Sequence, residues 1–158
     1  MAIWTDRIEI DASAAHCFAV LSDIDTCGEW MTQVKKIEKQ YEDPIKVGDQ
    51  WLETRTEGKG KREHCMAITL FEHQGPEQGL PPYTHTAGAH VMGGRSYYRF
   101  VTTPIDDNRC EVRLDAVFDV KGWFKQQFAK LIVRMMQKSE KDLLSRLKAH
   151  CEATQTNV

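Results

Sequence analysis

The sequence predicts an α+β fold in which a curved antiparallel sheet of about six or seven strands is packed by one long C-terminal helix. Three observations predict it. Apolar and polar residues alternate from Val34 to Val120, the period of two that marks half-buried strands. From Trp123 to Cys151 the period changes to three or four, with Phe128, Ile132, Met135, Leu143 and Leu147 in one stripe. Before both lies a single strand followed by two short helices.

The first strand is Ile3 to Ile10, with Ile8 and Ile10 on one face and Arg7 and Glu9 on the other. Asp11-Ala-Ser13 supplies capping oxygens for a short helix, Ala14 to Leu21, that buries Cys17, Phe18 and Leu21. Asp23, Asp25 and Gly28 end it, and a second short turn of helix carries Trp30 and Met31. Strands then follow at Val34 to Tyr41, Gln50 to Glu57 and Arg62 to His73, with Gly58-Lys-Gly60 as a hairpin connection. Gln74 to Gly94 holds five glycines and three prolines and is read as loop, with a short edge strand at Tyr83 to His90. Gly94 to Thr103 and Cys110 to Val120 complete the sheet. In the last of these Val112, Leu114, Ala116 and Phe118 share one face, against Glu111, Arg113, Asp115 and Asp119. Such a one-sided strand needs an apolar partner, and the terminal segment supplies it. A continuous helix of about 29 residues would be about 43 Å long, more than a small sheet covers, so it must overhang or bend.

At 158 residues the chain fits one domain, expected over 1–152 with a flexible tail at 153–158. A net charge of −2 gives no global reason for nucleic-acid binding, and no apolar run suits a transmembrane helix, so stable membrane insertion is not expected. Charges in the first seven residues argue against a signal peptide, and a cytoplasmic protein is expected. The five cysteines lack a C-x-x-C pair and read as reduced, mostly buried thiols. His85 and His90 have no metal spacing, and Gly88, Gly93 and Gly94 do not make a phosphate loop. Neither a metal nor a cofactor is expected. From Lys121 to His150 there are eight Lys or Arg against two acids, read first as a solvated face and second as a contact for an acidic partner or anionic membrane.

A twisted sheet curling around one helix cannot close tightly along its whole length. Large side chains or a ligand must fill the open end. The chain resembles the START-like (SRPBCC) superfamily, and within it the polyketide cyclase/dehydrase-type, or helix-grip, proteins. The resemblance is carried by Ile8-Glu-Ile10-Asp-Ala12, Phe18-x-x-Leu21-x-Asp23, Trp30, Gly48 before a strand, Phe100-Val-Thr-Thr-Pro104 before a turn, and the terminal amphipathic helix. It implies a hydrophobic cavity for lipid-like, aromatic or polyketide-like molecules, with no fixed catalytic set.

Strand parity gives the candidate ligand-binding residues. If Leu114 and Phe118 face the terminal helix, Tyr98 and Phe100 should turn the same way. By the pattern of that family Trp51 faces inward and carries Glu53 and Arg55 with it. Met66, with its apolar neighbours, brings in His64. Trp30 lies at the other side, and Phe128, Ile132 and Met135 of the terminal helix form the roof. The alternative register, shifted by one residue, leaves Glu53 and Arg55 in water. The leading reading is a carrier for a small hydrophobic molecule. The alternatives are a cyclase/dehydrase-type enzyme using His64, Tyr98 or Glu53 as acid or base, and an interaction module whose cavity is filled by side chains.

Overall fold

The computed structural model describes residues 1–57 and 62–155. The expected hairpin turn at Gly58 to Gly60 and the end of the expected tail, 156–158, lie outside them. Seven strands form one antiparallel sheet: β1 (Ala2–Ile10), β2 (Val34–Lys39), β3 (Gln50–Glu57), β4 (Arg62–Gln74), β5 (Tyr83–Val91), β6 (Gly94–Asp106) and β7 (Arg109–Asp119). Their spatial order is β1-β7-β6-β5-β4-β3-β2. The first and last strands therefore pair, while the chain crosses from one edge to the other through α1 (Ala14–Ser22) and a 3-10 turn at Cys27–Glu29. The 3-10 turn is capped by Trp30, and the Trp30 and Met31 amides both donate to the Cys27 carbonyl. Ser13 Oγ accepts from the His16 amide and caps α1 as its side-chain chemistry predicts.

Two sequence expectations are corrected. The strand expected at Tyr83 to His90 is present as β5, but it is not an edge strand: it runs for nine residues and lies inside the sheet between β4 and β6. Its Gly88 stands opposite Tyr97, where an added Cβ would run into the β6 backbone. Glycine here serves close approach between strands, not a turn.

The terminal helix is also not continuous. It divides into α2 (Trp123–Ser139) and α3 (Leu143–Thr154). At the break Ser139 Oγ bonds the Met136 carbonyl, and the Leu143 amide bonds the Glu140 carbonyl. The bend resolves the excess length. α3 packs against β1 and α1, burying Leu143, Leu144, Leu147 and Cys151, each leucine worth about 1.5–3 kcal/mol. Its far end is fastened to the start of α1. The Ser13 amide donates to Gln155 Oε1 at 2.7 Å, and the Asp11 amide donates to Glu152 Oε1 at 2.9 Å. α2 instead meets β1 and β7 through Ala129 and Val133, small enough to let the helix sit close.

Two apolar clusters result. One joins Trp4, Ile10, Cys17, Trp30, Phe100, Val112 and Leu114 to the helices. The other covers β3 to β5 with Ile24, Trp51, Ile68, Leu70 and Ala89.

Candidate functional site

The ladder fixes which side chains share the concave face. Ala116 and Leu114 of β7 stand opposite Tyr98 and Phe100 of β6, and Tyr98 stands opposite Ala87 of β5. Ala87 in turn faces Leu70 of β4. Steps of two residues from Leu70 reach Ile68, Met66 and His64, which pair with Trp51, Glu53 and Arg55 of β3. The register therefore puts Glu53 and Arg55 on the face that carries the cores, not in water.

Both charges are withdrawn from solvent and paired. Arg55 Nε donates to Glu53 Oε2 at 2.6 Å, and Trp51 Nε1 donates to Glu53 Oε1 at 3.4 Å. Burial opposes the charge of Arg55, but the Glu53 carboxylate beside it more than offsets this and holds the guanidinium's pKa above its ordinary value. Burial, and then the nearby Glu140 charge, push the Tyr98 phenol well above the usual tyrosine range, with Arg55 opposing. At neutral pH Tyr98 is thus a neutral hydrogen-bond donor.

Sequence reasoning missed Glu140. It sits at the α2–α3 break, 5% exposed, with a carboxylate oxygen 3.5 Å from Arg146 Nη2. Burial raises its pKa while Arg55 and Arg146 pull it down. Arg146 Nε also donates to the Trp30 carbonyl at 3.1 Å, which ties the polar cluster to the turn before β2. The one available signal was that Glu140 and Asp142 are the only acids in an otherwise basic stretch.

The remaining candidates divide by exposure. Trp30 and Trp51 are each 2% exposed, and Phe100, Leu114 and Phe118 are likewise buried. They pack into the two apolar clusters of the core. Arg55, His64, Met66 and Tyr98 are half-buried and keep surface on the concave side. Phe128 and Met135, expected as a buried roof, are 48% and 60% exposed, while Ile132 is half-buried. The reason is helix rotation, since the close contact falls on Ala129 and Val133, about a third of a turn away from the larger residues. Lys130, Val133, Arg134 and Gln137 line a cleft with Met1 to Thr5, so that flank of α2 faces the edge strand β1. Phe128, Leu131 and Met135 lie away from that cleft and are exposed. The structure thus holds an exposed apolar surface on α2 and a largely buried polar cluster of Glu53, Arg55 and Glu140.

A second polar group lies in the same sheet. His85 is 4% exposed, its Nδ1 is 3.5 Å from His73 Nδ1, and both rings pack on Phe18. Desolvation lowers the pKa of His85 to about 3, with a small further effect of His73. His90, five residues on, is exposed on the opposite face. Among the described residues no three His, Cys, Asp or Glu side chains gather as a metal site, and no helix is long and apolar enough to cross a membrane.

A curved seven-stranded antiparallel sheet packed by a C-terminal helical segment defines a START-like, helix-grip protein. The chain belongs to the family described as polyketide cyclase/dehydrase and lipid transport, whose model matches residues 1–152. Solved structures share the fold at low identity. A protein of Thermus thermophilus is 14% identical with a TM-score of 0.69, over 98% of this chain and 99% of that one. A START superfamily protein of Mycobacterium smegmatis is 14% identical with a TM-score of 0.68, over 98% and 100%. Norcoclaurine synthase of Thalictrum flavum, solved with a transition-state analogue, is 13% identical with a TM-score of 0.67, over 98% and 96%. No curated protein sequence matches the chain.

Proposed function

We propose that the protein binds a small hydrophobic molecule (lipid-like, aromatic or polyketide-like) in the groove between the concave sheet and α2. The observation that carries this reading is the unburied apolar surface of α2 at Phe128, Leu131 and Met135, in a fold whose sheet holds a buried Glu53–Arg55 pair on its core face. Apolar surface of this kind suits an apolar ligand body. Arg55 and Tyr98, a fixed cation and a neutral donor, suit a carbonyl, phenolic or carboxylate end. Met66, His64 and Ile132 complete the contact. The five cysteines are free, with Cys17 and Cys110 sulfurs 3.4 Å apart as thiols, which supports a reducing, cytoplasmic setting.

The test is native mass spectrometry of the protein purified from its own host, with titration of an apolar fluorescent probe alongside. A retained hydrophobic molecule that competes with the probe, and weaker probe binding in Phe128→Ser/Met135→Ser, are expected. A protein that retains nothing and binds no probe refutes the proposal.

A second reading, acid–base chemistry on the bound molecule, is favoured by the convergence of Arg55, Tyr98 and Glu140. In it Tyr98 donates a proton or hydrogen bond to an oxygen that gains charge, and Arg55 stabilises that charge. Turnover of a retained ligand that disappears in Tyr98→Phe, with binding kept, would select this reading over simple carriage.

A further inference from the structure

The end of the molecule where α2 begins exposes more apolar surface than the groove needs. Trp123 is 66% and Phe124 is 82% exposed, and their rings meet edge to face at 4.7 Å between centroids. Beside them is Met92, 46% exposed at the tip of the β5–β6 hairpin, with a backbone φ of +50°. The two features are joined, because Lys125 Nζ donates to the Met92 carbonyl at 3.1 Å. Three large apolar side chains therefore project from one end of the fold.

The charge that α2 carries beside them is positive. Lys121 and Lys125 flank the pair, and Lys130, Arg134 and Lys138 continue along α2, all exposed. From Val120 to Ser139 there is no acid; the nearest in sequence is the exposed Asp119 at the end of β7. In a chain of net charge −2 this is a local reversal. An apolar protein partner would need no such cations, and a second copy of the same basic end would be repelled by them. Exposed aromatic residues flanked by lysines match the boundary of an anionic bilayer, where rings settle at headgroup depth and cations meet lipid phosphates.

We propose that Met92, Trp123 and Phe124 form a membrane-docking tip that seats this end of the protein on an anionic lipid surface, reversibly and without insertion of a helix. This goes beyond ligand binding in the groove and does not depend on it. The chain carries its own reporter. Of its four tryptophans, Trp4, Trp30 and Trp51 are no more than 9% exposed, so a change of emission on adding vesicles reads Trp123.

The experiment compares phosphatidylcholine vesicles with and without phosphatidylglycerol. Co-sedimentation with the anionic vesicles is expected, with a blue shift of Trp123 that brominated acyl chains quench and salt weakens. Trp123→Ser/Phe124→Ser should lower the bound fraction by about tenfold or more, and Lys121→Glu/Lys125→Glu should lower it as well. Unchanged circular dichroism melting of both variants confirms that folding is intact. Apolar-probe affinity in vesicle-free buffer should stay as in the parent, which separates failure of docking from failure of the groove reading. Absence of vesicle binding overturns the proposal, as does binding that ignores both variants. Self-association removed by Trp123→Ser/Phe124→Ser, without vesicle binding, overturns it in favour of a second copy as the occupant.

Discussion

Glu53 and Arg55 show how much a single buried pair commits a site. Their side chains are 5% and 17% exposed, so removing one partner leaves the other charge without compensation. Arg55→Met should destabilise the fold by about 3 kcal/mol, and Glu53→Gln/Arg55→Met should recover most of that loss. Urea denaturation of the two single variants and the double variant checks this; additive losses would mean that the pair does not interact. His85 gives a second prediction with a definite sign. Its pKa is lowered to about 3 from 6.5, so between those values the unfolded chain binds the extra proton. Stability contributed by keeping His85 neutral is present above pH 6.5 and is lost as pH falls toward 3, with a slope of about 1.4 kcal/mol per pH unit at most. In His85→Gln that part of the slope should vanish. A slope unchanged from the parent would show that other groups carry the acid sensitivity.

At the scale of elements, β5 and α2 are the two places where local pattern and tertiary placement part company. Gly88 sits where the β6 backbone leaves no room for a side chain. Gly88→Val should therefore destabilise by about 1–3 kcal/mol even though valine favours strands. Thermal denaturation that finds the variant as stable as the parent would disprove close approach as the reason for this glycine. For α2, Phe128→Ser/Met135→Ser changes side chains already in solvent, so stability should move by about 0.5 kcal/mol or less. Loss of apolar-probe binding with stability kept would mark a ligand wall; a large loss of stability would mark these residues as core. The strands β6 and β7 were legible because their alternation is strict and their inner faces are apolar. β5 was legible as a strand but not as an inner one, because its small residues and glycine suit a sheet edge when read one at a time.

At the scale of the whole molecule, α2 carries both the exposed apolar residues Phe128, Leu131 and Met135 and the basic, aromatic tip at Trp123 and Phe124. A ligand that binds only the folded state should raise the melting temperature as its concentration rises above its dissociation constant. A bound apolar molecule should thus shift the parent and leave Phe128→Ser/Met135→Ser largely unshifted, as read by differential scanning fluorimetry.

By itself the sequence determined the fold class, the inward parity of Trp51, Glu53 and Arg55 as one of two registers, and the terminal segment as the partner of the sheet. The shared parity and the helical stripe follow from periodicity, a local property of the chain, and the inward choice for Trp51 follows from the resemblance to the family. The tertiary structure decided the register, because only the pairing carried from β7 to β3 ties Leu114 to Arg55. It also decided that the terminal helix divides at Glu140, and that α2 rests on Ala129 and Val133 while its larger apolar residues stay exposed. Helical period marks an apolar stripe but not which part of that stripe meets the sheet. That is set by how closely two elements can approach, and small side chains win the contact.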